Sequence, residues 1–383
     1  MIYLDNNAST KMDPEVVAAM REASGFYGNP SSVHGEGRRA RRMIEEARDE
    51  TARLIGAAPE EIFFTSGGTE ANAMAIFGAT AGRRGHAVRS GAEHPSVRET
   101  VDSLCGQGIQ TAVVNPEPSG ALDPARMEEA LAPATLFVSV MAANNEYGGL
   151  FPIPRLSAAI HGRGALFHTD AVQAAGRIPI DVEAWNVDLL SLSAHKFHGP
   201  KGVGALYVRK GLPLQARTPG GGQEKKLRAG TENTAGIVGL GVAARLARER
   251  LGEAIGIASL RDRLEKGILE RLERARVVGG GAPRLPNTSA LLFEGLSGEA
   301  LLARLDLEGI AVSVGSACSS GTLAPSPAIL SLGLPPTEAK SVVRFSLSRL
   351  TTLEEIEASI DIVARVIEEA REVKGREAGG GRR

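Results

Sequence analysis

The sequence predicts an α/β protein built on a mainly parallel sheet, with a smaller α+β domain beside it. Two observations predict this class. Short apolar runs alternate with helical stretches through the middle of the chain, and from about Leu260 the pattern changes to helix, strands and a final helix. Length agrees, since 383 residues suffice for two domains and one large core. We expect residues 15–255 to form the large domain. Residues 1–14 with 256–383 are expected to form the small one.

The elements follow in order. Asp13-Pro14 reads as a helix N-cap with proline in the first turn. Ala40, Met43, Ile44, Ala47, Thr51 and Leu54 have helical spacing, so the basic run from Arg38 to Arg42 is the wet face of a helix. Strands are expected at 61–65 (EIFFT), 86–91 (HAVRSG), 136–141 (LFVSVM), 165–168 (ALFH), 188–193 (DLLSLS) and 204–208 (GALYV). Residues 219–233 form a loop rich in glycine and charge, and a long helix from about 236 to 250 leads out of the large domain. The tail GREAGGGRR reads as disordered.

Composition narrows the function classes. Hydrophobic residues are 43%, charged residues 23% and the net charge is −1, which gives no reason to expect nucleic acid or a membrane surface as the main partner. No apolar run reaches the roughly 18 residues of a membrane span. MIYLDNNASTK shows no signal-peptide pattern, so a cytoplasmic enzyme is the expectation. With two cysteines, Cys105 and Cys318, neither a disulfide framework nor a cysteine metal site is expected, and we expect no metal.

In an open parallel sheet, ligands bind beyond the carboxyl ends of the strands. Five expected strands here run into polar residues: Ser66-Gly67-Gly68-Thr69-Glu70, Glu93-His94, Asn144-Asn145-Glu146, Asp170 with Gln173, and His195-Lys196. That edge suits pyridoxal 5′-phosphate. Its aldehyde needs a lysine amine, and its pyridine nitrogen needs a carboxylate. Its phosphate needs backbone N–H groups at a helix start, which SGGTEANAMAIFG supplies. Each feature alone has a plainer reading. A glycine turn is often only a loop, Asp170 alone reads as a cap, and Lys196 competes with Lys201. His34, His86, His161 and His168 read as structural or surface residues, Trp185 as core and Cys105 as incidental; His198 stays open.

Taken together, YLDNNAST, GNPSSVHGEGRRA, FTSGGTEANA, EHPSV, NNEYGG, HTDAVQAAG, SAHKFHGPKG, GGGQEKKLRAGTEN, GSACSSG and RFSLSR resemble, in order and spacing, the cysteine desulfurases of the NifS and IscS type. These are pyridoxal-phosphate enzymes of the class V aminotransferase fold, fold type I. The resemblance implies that Lys196 holds the cofactor, Asp170 pairs with its ring nitrogen and His94 stacks on the ring. Gln173 and Asn145 would contact the ring oxygen, and Gly68, Thr69, Ser193 and His195 the phosphate. Thr231 would reach the phosphate of the other subunit of a homodimer. Arg344 would grip the substrate carboxylate, helped by Asn6 or Asn7. Cys318, among small residues in VGSACSSGTLAPS, would take the sulfur of L-cysteine as a persulfide, with alanine as the product, and pass it to an acceptor. That acceptor would be an iron–sulfur scaffold or a tRNA-thiolation carrier. A reactive thiolate needs a nearby positive charge or proton acceptor, for which His94 is the candidate. The alternative is a selenocysteine lyase or another aminotransferase or lyase of the same fold. The lysines of GGQEKK, Ala194, Phe197 and the lack of a histidine before Asn144 depart mildly from the family pattern.

Overall fold

The computed structural model describes residues 1–315 and 324–380, with side chains to Lys374. A seven-stranded sheet forms the larger layer. Its spatial order is Ile62–Thr65, Gly204–Val208, Leu189–Ser193, Leu166–Asp170, Thr135–Ser139, Gly85–Ser90, Ile109–Val114. Gly204–Val208 runs antiparallel to both neighbours, and the remaining pairs are parallel. The edge strand Ile109–Val114 escaped the sequence reading. Gln110 and Thr111 interrupt its IQTAVV and only its two ends, Ile109 and Val114, are buried, so no long apolar run marks it.

Helices cover both faces. Asp13 caps Pro14–Ala23 by accepting from the Glu15 N–H. Gly35–Ile55 buries Ala40, Ile44, Ala47, Thr51 and Ile55 on one stripe and ends at Gly56, whose φ of 68° suits a left-handed cap. Thr234–Glu249 packs against that helix at close range. A β-carbon on its Gly241 would stand 2.6 Å from the Ala47 Cα, so only glycine fits there.

A second core lies around a four-stranded antiparallel sheet in the order Ser313–Val314, Val342–Ser346, Thr288–Phe293, Ala275–Val277. The N-terminus joins it: Ile2–Tyr3 pairs in parallel with Ile310–Ala311, and Leu4 is fully buried in this core. The last helix, Leu353–Gly380, continues through part of the tail that the sequence marks as disordered. Glu372, Val373 and Lys374 are ordinary helix formers, and they carry the helix toward the glycines. Trp185 packs against the large core, and Cys105 is exposed beside the Thr111 hydroxyl. His168 is fully buried between the hydroxyls of Ser139 and Ser191.

Candidate active site

The parallel strands end along one edge, and the site grows from those ends. After Ile62–Thr65 the chain turns through Gly67, at φ 152°, into the helix Gly68–Thr80. That helix has no side-chain cap, so its first N–H groups are left for another acceptor. The glycines here are packing requirements. A β-carbon on Gly68 would fall 2.8 Å from Val172 Cγ2 and 3.6 Å from Ser193 Cβ. One on Gly204 would fall 2.7 Å from the Gly67 Cα. The Gly67-Gly68 turn, with Thr69 in the first turn of its helix, therefore packs closely on the end of the Leu189–Ser193 strand as a glycine cradle.

Asp170 ends the central strand, 4% exposed. Its carboxylate accepts from the Val172 N–H at 2.9 Å and from Asn72 Nδ2 at 2.7 Å. Asn72 Nδ2 also donates to Ser96 Oγ at 2.9 Å. Ser96 meets His94 Nδ1 twice, through its hydroxyl at 2.8 Å and its N–H at 3.1 Å. His94 caps Pro95–Asp102 through that N–H. Burial pushes its pKa down, and the field of Asp170 opposes the shift. Glu93, beside it, is buried deeply enough to be pushed up to about 8; Ser90 and the Met141 N–H donate to Oε1, while Oε2 has no partner among the described residues.

Lys196 lies in the turn after Leu189–Ser193, and its Nζ donates to the carbonyls of Asn7 at 2.5 Å and Ala8 at 2.9 Å. Gln173 Nε2 donates to the same Asn7 carbonyl at 3.0 Å. His195 faces Ser9, and burial pushes it down to about 4. Asn6 and Asn7 spend their amides on the frame. Asn6 donates to the Ser346 carbonyl; Asn7 donates to Thr288 Oγ1 and the Asn145 carbonyl and accepts from Asn287. Sequence reasoning missed Arg177, four residues past Gln173 in the same turn. It is buried against Gln173 and reaches the carbonyls of Asn6 and Lys196 at 3.4 Å. Burial, with Arg344 nearby, pulls it down to about 9.

Arg344 is 6% exposed. It donates to Asp5 Oδ1 at 2.6 Å and to the Asn145 carbonyl at 2.9 Å, and its buried Nε has no partner among the described residues. An unspent guanidinium N–H of this kind is what a carboxylate ligand needs. Asp5 was also missed, although it adjoins Asn6 in the same motif. Thr231 is exposed, at the end of a loop tied down by three carboxylates. Glu224 accepts twice from Arg48 and once from the Phe64 N–H, Glu232 pairs with Arg41, and Glu70 pairs with Arg228. Arg228 thereby fastens the Thr231 loop to the start of the cradle helix. Cys318 lies outside the described residues.

The family model for class-V aminotransferases matches residues 2–358. The chain is 48% identical to a cysteine desulfurase of Cereibacter sphaeroides, covering 97% of this chain and 96% of that protein. Among solved structures it is similar to a NifS-like protein from Rickettsia africae ESF-5. There the TM-score is 0.88 and the identity 34%, over 96% of this chain and 99% of the other. It is also similar to SspA in complex with cysteine, at TM-score 0.81 and 33% identity, over 92% of this chain and 100% of the other.

Proposed function

The chain belongs to the class-V aminotransferases and, among them, to the cysteine desulfurases, and from that premise we propose how its own residues carry the reaction. The substrate is L-cysteine; the similar SspA structure holds cysteine. The residues present fit pyridoxal 5′-phosphate. The glycine cradle leaves no room for a β-carbon, and the helix start above it is uncapped. A buried carboxylate, Asp170, stands at the neighbouring strand end. When bound, the cofactor supplies an electron sink for the substrate α-carbon.

Lys196 would hold the cofactor and move the proton at the substrate α-carbon. Asp170 would pair with the cofactor's ring nitrogen, and His94 would stack on its ring. Gln173 and Asn145 would hold the ring oxygen. Gly68, Thr69, Ser193 and His195 would hold the phosphate. Arg344 binds the substrate carboxylate, with its unspent Nε turned to use, and Asn6 and Asn7 fix the backbone around it. The thiolate of Cys318 attacks the substrate sulfur. The C–S bond breaks, its electron pair stays with the carbon, and that carbon takes up a proton. The products are L-alanine and a Cys318 persulfide. Two chains pair, with Thr231 of each reaching the phosphate site of the other; its exposure supports this. The sulfur leaves to an acceptor protein, an iron–sulfur scaffold or a tRNA-thiolation carrier.

The single observation that carries this reading is the buried Asp170 set between the glycine cradle and the Lys196 turn. The test is alanine and sulfide release from L-cysteine in the presence of a thiol reductant. Wild type should give equal amounts of both. Cys318→Ala should keep the bound-cofactor absorbance and release neither. A Cys318→Ala enzyme as active as wild type would remove Cys318 from the reaction.

A further inference from the structure

His94 Nδ1 sits at the end of a directional chain of hydrogen bonds that starts at Asp170. The direction follows from the donors. A carboxylate only accepts, so Asn72 must turn its NH2 toward Asp170 Oδ2, 2.7 Å away. The second hydrogen of that NH2 goes to Ser96 Oγ at 2.9 Å. Having accepted there, the Ser96 hydroxyl has its own hydrogen left for His94 Nδ1 at 2.8 Å. The Ser96 backbone N–H also donates to Nδ1, at 3.1 Å. Two donors on one ring nitrogen leave no place for a proton there. Reversing the Asn72 amide would set its oxygen against the Asp170 carboxylate.

We propose that Asn72 and Ser96 are positioning residues that, anchored on Asp170, hold the His94 imidazole in the tautomer protonated at Nε2. Asn72 is 1% exposed, so water does not compete for its amide hydrogens. The groups whose fields reach the ring are Asp170, Lys196 and Arg98; burial lowers the ring's pKa, with Lys196 and Arg98 acting in the same sense and Asp170 against them. In this tautomer His94 enters the reaction as a donor at Nε2. It is then not the proton acceptor for the Cys318 thiol that the sequence alone suggests. That consequence rests on the functional reading above, whereas the tautomer itself does not.

The experiment is two-bond 1H–15N correlation NMR of the cofactor-loaded enzyme labelled with 15N-histidine, with the His94 ring signals identified by their loss in His94→Gln. The wild type should show an unprotonated Nδ1 and a protonated Nε2. In Asn72→Ala the Ser96 hydroxyl loses its anchor and can accept from Nδ1–H, so a second tautomer should appear. The same variant should lose kcat on the order of tenfold with KM unchanged, the size expected when an outer residue orients a functional histidine. Ser96→Ala should weaken the bias in the same direction, and Ser96→Thr, which restores the hydroxyl, should return the wild-type pattern. If Asn72→Ala does not fold, the Ser96 pair carries the test. A wild-type Nδ1–H form, or wild-type ring signals in folded Asn72→Ala or in Ser96→Ala, would overturn the proposal. The NMR arms read the tautomer whether or not sulfide is released, so failure of the functional reading shows separately.

Discussion

Glu93 shows how much a single residue contributes at this edge. Its carboxyl is buried, with donors on Oε1 only, and Asp170 adds its negative field. The folded protein therefore holds a proton there up to about pH 8, whereas the unfolded chain releases it near 4.5. A group whose folded pKa is raised stabilises fully below its unfolded pKa, and that stability is lost as pH rises through the folded value. Glu93 should thus cost the fold up to about 1.4 kcal/mol per pH unit between the two values. Glu146, pushed up to about 7 by burial, acts in the same sense. His168, at about 3, and His195 and His198, at about 4, act in the opposite sense, but only below the ordinary histidine range. The unfolding midpoint of the loaded enzyme should therefore fall from about pH 6.5 to about pH 9, and Glu93→Gln should flatten part of that fall. A slope in Glu93→Gln as steep as wild type would show that Glu93 is ionised in the fold.

At the scale of elements, the site depends on close approach of backbones. Gly204 opens the reversed strand beside the cradle, where a β-carbon would stand 2.5 Å from the Leu192 carbonyl and 2.7 Å from the Gly67 Cα. Backbone atoms cannot rotate away as a side chain would. Gly204→Ala should cost about 1–3 kcal/mol, as overpacking does, and should lower the cofactor bound per chain. An unchanged melt with full cofactor content would show that the cradle can give. Most of these elements were legible in the sequence because their strands are apolar runs punctuated by glycine or polar ends. The edge strand Ile109–Val114 was not, since partial cover leaves it no apolar signature. The candidate catalytic residue types stood out by their place at strand ends. Residues that hold them did not. Asn72 and Ser96 lie on helices and Arg177 in a turn, where an asparagine, a serine or an arginine looks like any surface position until the tertiary contact is seen.

Across the whole molecule, the N-terminal segment ties the two cores together at the site. Leu4 is buried in the smaller core. Asp5 pairs with Arg344, and the carbonyls of Asn7 and Ala8 receive Lys196. Asp13 holds Arg250 and Arg349, one at the end of the large-core helix and one in the smaller lobe. Such bonds between distant parts of the chain carry no local signal, so YLDNNAST could be read as a motif but not as a strap. The segment keeps the lysine and arginine in register, and the account requires that register to deliver the substrate sulfur to Cys318. The most direct measurement is mass spectrometry of the Cys318 peptide after the loaded enzyme meets L-cysteine without reductant. The account predicts one extra sulfur on Cys318, appearing with an equal amount of alanine and absent in Lys196→Ala. Alanine formed while Cys318 stays unmodified would contradict it.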